Sequence, residues 1–296
     1  MLLGAGAEPL CELIFDDFNH WQLCNCSHDV IQTLNDPELF FQGLKSLDID
    51  FPATQLAKPA NLSGWLFKQV NSCGGMGVMR CSADISDTNY HGYYQEEISG
   101  KPISVLCISA GQSFQLLGVN EQYCLIQNDV YPYVYHGALA NLKIDSKNVE
   151  ILNSYIVKII NYFNLFGVFS IDMIETDESV YVLEINPRIS ASYELYEYIN
   201  PDLNLVDAHI RVCEGERLST LALSDQSPAY RIVYASDDLE IATDIDWPEW
   251  SKDIPESGRQ VLAGEPICSV YAHESEGALL MQLDAREKSI ISIIKQ

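Results

Sequence analysis

Asp172-Met173-Ile174-Glu175-Thr176-Asp177-Glu178-Ser179-Val180-Tyr181-Val182-Leu183-Glu184-Ile185-Asn186-Pro187-Arg188 is the stretch whose reading decides the fold. Apolar residues on both sides of a polar Thr176–Ser179 break predict two strands, 168–175 and 180–185, joined by a turn. With the turn centred near Glu178, Asp172 falls opposite Glu184. Side chains two apart on a strand share a face, so Glu184, Asn186 and, beyond Pro187, Arg188 project together with Asp172. Two carboxylates and an amide oxygen form a hard donor set, suited to magnesium that keeps phosphate and water as its remaining ligands. The planar fork of Arg188 can hold a phosphate or a developing acyl phosphate. A merely solvated hairpin face can carry the same residues, and spacing alone gives the two readings equal weight.

Upstream, Phe67-Lys68-Gln69-Val70-Asn71-Ser72-Cys73-Gly74-Gly75-Met76-Gly77-Val78 places a lysine at a strand end before a glycine-rich loop. Backbone N–H groups at Gly74, Gly75 and Gly77 can lie over phosphates, with the Lys68 ammonium as counter-charge. No Gly-Lys-Ser/Thr follows, so this is not the Walker pattern, and a glycine-rich hairpin turn explains the segment alone at least as well. Between the two, Tyr94-Gln95-Glu96-Glu97-Ile98-Ser99-Gly100-Lys101-Pro102-Ile103-Ser104-Val105 reads as strand, turn and strand. Main-chain groups at such a strand edge can meet an adenine, with apolar neighbours holding the ring.

The surrounding pattern is mixed. Strands are expected at 64–70, 93–98, 103–108 and 113–120, and helices at 148–163 and 207–214. Ser27-His28-Asp29 can cap one earlier helix, and Asp36-Pro37-Glu38 starts another that runs to Leu47. Before them, Leu2 and Leu3 lead into Gly4-Ala5-Gly6, a helical pattern to about Phe18 and an extended 21–26. Gly4-Ala5-Gly6 lacks the third glycine of a dinucleotide loop. From about residue 226, Pro228, Pro248, Pro255, Gly258, Gly264 and Pro266 punctuate short strands and turns to the end.

The 296 residues carry 17 Lys and Arg against 42 Asp and Glu, a formal charge of −25. Such a surface repels phosphate backbones and anionic lipid, which argues against nucleic-acid and membrane partners. No apolar stretch reaches the roughly 18–20 residues that span a bilayer, and the N-terminus does not read as a signal peptide. Nine cysteines occur without any Cys-x-x-Cys. Cys24 and Cys26 share a strand face, but no second pair follows at zinc-ligand spacing, so reduced thiols in a cytoplasmic protein are the better reading.

Taken in order, the lysine strand with its glycine loop, the hinge segment and the acidic strand pair closing on Glu184-Ile185-Asn186-Pro187-Arg188 resemble the ATP-grasp superfamily over about residues 35–225. The resemblance implies an α+β fold in which two α/β subdomains clamp ATP. It also implies roles. Lys68 binds ATP phosphates under a mobile flap of Gly74, Gly75 and Gly77. Gln95, Glu97 and Ile98 belong to the adenine hinge, with Gln95 and Ile98 acting through the backbone. Asp172, Glu184 and Asn186 bind Mg2+, and Arg188 steadies the transferring phosphoryl group. Within the superfamily the chain looks like the predicted carboligases that include tyramine–glutamate ligase of methanofuran biosynthesis. That impression rests on Gly100-Lys101-Pro102-Ile103-Ser104-Val105, Asn186-Pro187-Arg188-Ile189-Ser190-Ala191-Ser192, Gly4-Ala5-Gly6-Ala7-Glu8 and Ala263-Gly264-Glu265-Pro266-Ile267-Cys268.

The implied organisation is a shortened N-terminal α/β segment at 1–52, an ATP-grasp domain at 53–225 and a small β-rich part at 226–296. The implied reaction joins a small-molecule carboxylate to an amine through an acyl phosphate, with ATP and Mg2+ as cofactors, in a one-carbon cofactor pathway of the methanofuran or methanopterin type. A homodimer is possible. Two departures point to the alternative of a degenerate ATP-binding regulatory or scaffold protein. Asn35-Asp36-Pro37 stands where many members have an ATP-contacting lysine, and the N-terminal α/β domain is short. Tyr131, Tyr133, Tyr135 and His136 precede Gly137 in a loop that either lines an acceptor pocket or packs on the core.

Overall fold

The computed structural model describes residue 2 and residues 24–81, 91–125, 132–273 and 278–295. The expected helix up to Phe18, the Gly4-Ala5-Gly6 turn and Tyr131 lie outside the described residues. Two helices open the rest, α1 (His28–Asn35) and α2 (Pro37–Ser46). Both start as their caps require. The Ser27 hydroxyl accepts from Val30 N, and the Asp36 carboxylate accepts from Glu38 N and Leu39 N just before Pro37.

A four-stranded sheet follows, in the order β1-β4-β2-β3, from β1 (Thr54–Gln55), β2 (Trp65–Gln69), β3 (Val78–Arg80) and β4 (Gly92–Glu96). Residues 97–100 then lead into β5 (Lys101–Ala110), the start of an eight-stranded sheet in the order β12-β14-β10-β7-β6-β5-β8-β9. Its members are β6 (Ser113–Leu125), β7 (Val134–Leu139), β8 (Phe166–Glu175), β9 (Val180–Asn186), β10 (Ala229–Tyr234), β12 (Ser251–Lys252) and β14 (Pro266–Ala272). A short pair, β11 (Leu239–Glu240) with β13 (Gln260–Val261), stands apart.

β5 is covered on both faces, and its alternation assigns each layer. Ile103, Val105 and Cys107 pack on helix α3 (Ser146–Phe163) through Leu152, Ile156, Ile159 and Phe163. Leu106 and Ile108 face the opposite way, with Leu195, Tyr196, Tyr230 and Tyr271. Full burial of each aliphatic chain stabilises by about 1.5–3 kcal/mol, so this sandwich is the main anchor of the larger sheet. Helix α4 (Tyr193–Ile199) lies on the second face, and α5 (Leu205–Cys213) packs mainly on β8.

The C-terminal strands do not form a separate layer. β10 pairs with β7, so the larger sheet runs on into the tail. The expectation of strands and turns to the end needs correction, because Leu279–Ile294 is a helix, α6, seated on β10 and β14. Its Ile290-Ile291-Ser292-Ile293-Ile294 end reads as strand, but Leu283 and Ile290 point together into the tail's core, which a helix allows.

His209 on α5 ties the fold together below the sheet. Its Nδ1 accepts from Val168 N at 2.8 Å, which leaves Nε2 to donate to Cys24 O at 2.9 Å. Burial holds the ring's pKa below the ordinary value, and protonation would turn Nδ1 from acceptor to donor against Val168 N–H. The folded chain therefore binds fewer protons than the unfolded one near pH 6. Stability from this group is present above an unfolded pKa of about 6.5 and is lost as pH falls, by at most about 1.4 kcal/mol per pH unit. His209→Gln should melt lower at pH 7.5 and show a shallower fall in Tm between pH 7 and 5; parallel curves would assign the dependence to other groups.

Candidate active site

The β8–β9 hairpin places the acidic face through a register shift. The turn pairs Glu175 with Val180 and Met173 with Val182, a register that by itself would put Leu183 opposite Asp172. A bulge between Asp172 and Met173 absorbs Leu183 and brings Glu184 opposite Asp172, with Asn186 opposite Ser170. Without that extra residue, Glu184 would turn to the α3 side of the sheet.

The resulting contacts are specific. Asn186 Nδ2 donates to Asp172 Oδ2 at 3.1 Å and to Glu184 Oε1 at 3.4 Å. Asn186 Oδ1 accepts from Arg188 Nη2 at 3.0 Å, and Arg188 is buried. Gln122 Nε2 donates to Asp172 Oδ1 at 3.1 Å. Burial first, and the charge of Glu184 second, push the Asp172 carboxyl well above the usual range, while the Ser104 hydroxyl bond and Arg188 pull it back. Two carboxylates facing one another in this way favour a cation between them.

Lys68 comes to the same place from the smaller sheet. It pairs with Tyr93 across β2 and β4, lies 5.8 Å from that ring's centroid, and its Nζ donates to Gln95 Oε1 at 3.3 Å. Burial disfavours its charge, but Tyr93, Glu184 and Asp172 outweigh that and raise the pKa above the ordinary lysine value. The ammonium is thus buried and charged, within electrostatic reach of the carboxylates of the other sheet.

The glycine segment and the hinge join these halves. Gly74 O accepts from Tyr135 N at 2.9 Å, and Gly75, at φ +72°, approaches Tyr133 O so closely that a Cβ there would collide with it. Gly77 lies against Ser72. Tyr133 donates to Glu97 Oε1 at 2.5 Å, and Arg80 grips the same carboxylate at 2.8 Å. Gly100 leaves the hinge room only because it lacks a side chain, since a Cβ would meet Ile174 and Glu175 O.

The hinge expectations fare unequally. The Glu97 amide donates to Gly64 O, so the alternation of an antiparallel pair commits the Gln95 main chain to Leu66. An adenine contact through the Gln95 backbone therefore does not fit. Its buried side chain instead accepts from Lys68 and donates to Thr54 Oγ1 at 3.2 Å. Ile98 lies beyond the last paired residue of β4, in a segment without ladder bonds. Tyr93, Gln122, Ser104 and Arg80 are site neighbours that sequence reasoning missed. Gln122 was within reach, since β6 runs on to Leu125 and Gln122 shares a face with Asn120.

Cys24 and Cys26 are free thiols, and Cys26 Sγ is bonded to Phe166 O at 3.4 Å. Among the described residues no group of three or more His, Cys, Asp or Glu is placed to hold a metal. No helix of the described residues is long and apolar enough to cross a membrane.

Comparison with known proteins agrees with this geometry. A family model described as the ATP-grasp domain matches residues 35–192. The chain belongs to the ATP-grasp family. This ATP-grasp chain is 29% identical over 169 residues to tyramine–L-glutamate ligase of Methanocaldococcus jannaschii, covering 56% of this chain and 47% of that protein. The corresponding ligase of Methanocaldococcus fervens is 30% identical over 167 residues, 56% of this chain and 50% of that protein. The chain thus spans about half the length of the curated relatives it matches. Among solved structures, the biotin carboxylase domain of Hydrogenobacter thermophilus 2-oxoglutarate carboxylase superposes with a TM-score of 0.70 at 15% identity, over 96% of this chain and 71% of that one. Phosphoribosylamine–glycine ligase of Thermotoga maritima gives 0.69 at 14% identity, over 94% and 81%. These likenesses show the α+β ATP-grasp fold.

Proposed function

We propose that this ATP-grasp protein is an ATP-dependent carboxylate–amine ligase, and that the Lys68–Asp172–Glu184–Asn186–Arg188 cluster is its nucleotide and phosphoryl-transfer site. One observation carries the reading: a buried lysine from one sheet lies within electrostatic reach of the Asp172–Glu184 pair of the other, and Asn186 links that pair to the buried Arg188. The relatives named as tyramine–L-glutamate ligases support the carbon–nitrogen bond, and a cofactor-assembly context belongs to the proposal alone. A cytoplasmic location, a homodimer and a division near residues 52 and 225 belong to the same proposal.

The residues fit a magnesium ion. Asp172, Glu184 and Asn186 would hold it, and it would supply charge neutralisation at the phosphates. The Asn186 amide presents its NH2 group to oxygens of Asp172 and Glu184; beside a cation it would have to present Oδ1. That turn would release the Asn186–Arg188 bond, and the Arg188 guanidinium would face a phosphoryl oxygen. Lys68 would meet the ATP phosphates, and the Gly74–Gly77 backbone would cover them. Adenine would lie at the 97–98 hinge and meet the Ile98 main chain, since the Glu97 amide is bonded to Gly64 O and its carboxylate to Arg80 and Tyr133.

A substrate carboxylate oxygen attacks the γ-phosphorus, and the bond to ADP breaks. The amine lone pair then attacks the acyl carbon, and phosphate leaves with that carboxylate oxygen while the nitrogen gives up a proton. Arg188 and Lys68 act where negative charge accumulates. The test is ADP release that requires both an added acid and an added amine, with heavy oxygen on the acid appearing in the phosphate. Unlabelled phosphate, or AMP with pyrophosphate, would overturn the route. Nucleotide binding with no ADP release under any combination of acid and amine would point to a regulatory ATP binder.

A further inference from the structure

The face of the larger sheet that carries Asp172 continues into a run of tyrosines. The Tyr135 and Tyr230 hydroxyls are 2.6 Å apart, and Tyr230 stacks on Tyr271 with centroids 5.4 Å apart. Tyr271 donates to Glu194 Oε2 at 2.9 Å, and Tyr198 packs on Tyr271 at 5.4 Å. Glu194 and Tyr198 both belong to α4, the helix that follows the Arg188 segment.

Into this corner reaches Lys252, from the edge strand β12. Its Nζ lies 4.9 Å from the Tyr271 centroid, 5.9 Å from that of Tyr198 and 3.3 Å from Glu194 Oε2. Two aromatic faces and a carboxylate around one ammonium are the chemistry by which proteins recognise alkylammonium groups. The mouth of the corner is open to solvent, with the Lys252 side chain 42% exposed and that of Glu194 27%, and the Tyr271 ring lies buried behind them. Exposed ion pairs of this kind are weak, and a lysine on an edge strand can withdraw without disturbing the core.

We propose that Tyr198, Tyr271 and Glu194 form a subsite for the ammonium group of the amine substrate, which Lys252 fills when no substrate is bound. Lys252 then acts as an internal stand-in, keeping Glu194 paired beside the phenol rings of a strongly acidic chain. Assigning the guest to the amine substrate rests on the ligase reading above; the ammonium site itself does not.

The test uses n-butylammonium chloride as the probe, with n-butanol and sodium butyrate as controls, titrated calorimetrically into the full chain without nucleotide. Lys252→Met keeps the stem and vacates the ammonium position, and Lys252→Gln serves if the methionine variant does not fold. Either should bind n-butylammonium at least about tenfold more tightly than wild type, and adding Glu194→Gln should remove at least about tenfold of that affinity. Butanol should bind weakly and equally throughout. No gain in the Lys252 variants, or a gain that survives Glu194→Gln, would overturn the proposal and leave a plain ion pair between α4 and β12. Butyrate binding lost with Lys252 would also overturn it, making Lys252 an anion ligand. Turnover plays no part in these titrations, so ADP release insensitive to amines would count against the ligase reading and not against the ammonium site.

Discussion

Glu184→Gln is expected to lower turnover at least about 10²-fold with saturating magnesium, a loss of about 2.7 kcal/mol in transition-state stabilisation. The substitution keeps the shape of the side chain and the hairpin register. It removes one of the two charges that face each other across β8 and β9. The Glu184 side chain is exposed, and Asn186 Nδ2 contacts it at 3.4 Å, so folding should change little. Near-normal ADP formation by this variant would show that Glu184 is not a metal ligand. The amidated residue should also lower the Asp172 carboxyl toward the ordinary range, because the Glu184 charge is one of the two main causes that raise it.

The second large effect is at Lys68. Lys68→Met preserves the buried aliphatic stem and deletes only the ammonium, so the smaller sheet should keep its packing. ATP affinity should fall at least about tenfold, in the range of one charge-assisted contact, while adenosine affinity stays within about twofold. Calorimetry on the folded variant reads both. Equal losses for the two ligands would make Lys68 a structural partner of Tyr93 and Gln95 instead.

The hairpin was legible because period-two alternation and a polar turn are local signals, and the candidate site because Glu184-Ile185-Asn186-Pro187-Arg188 concentrates its polar groups in a few residues. Helix starts at Ser27 and Asp36 were equally legible, since a cap is a contact between near neighbours. What escaped was non-local. The bulge that absorbs Leu183 adds one unpaired residue without any glycine or proline to mark it. The Gln95 main chain is open to adenine on local pattern alone but is committed by its pairing with β2, since a strand's bonding edges depend on its neighbours in space. Gln122 needed the true length of β6, and the tail helix hides behind an isoleucine-rich end whose burial only β10 and β14 explain. The Lys252 corner joins residues from three separate segments, so no spacing rule could have shown it.

Lys68 and the Asp172–Glu184–Asn186 face are together expected to bind a magnesium-complexed nucleotide. The most direct measurement is calorimetric titration of the wild-type chain with a non-hydrolysable ATP analogue, once with magnesium and once with a chelator. A single site at least about tenfold tighter with magnesium is predicted, with adenosine binding indifferent to the metal. Equal affinity for the analogue in both conditions would contradict the account.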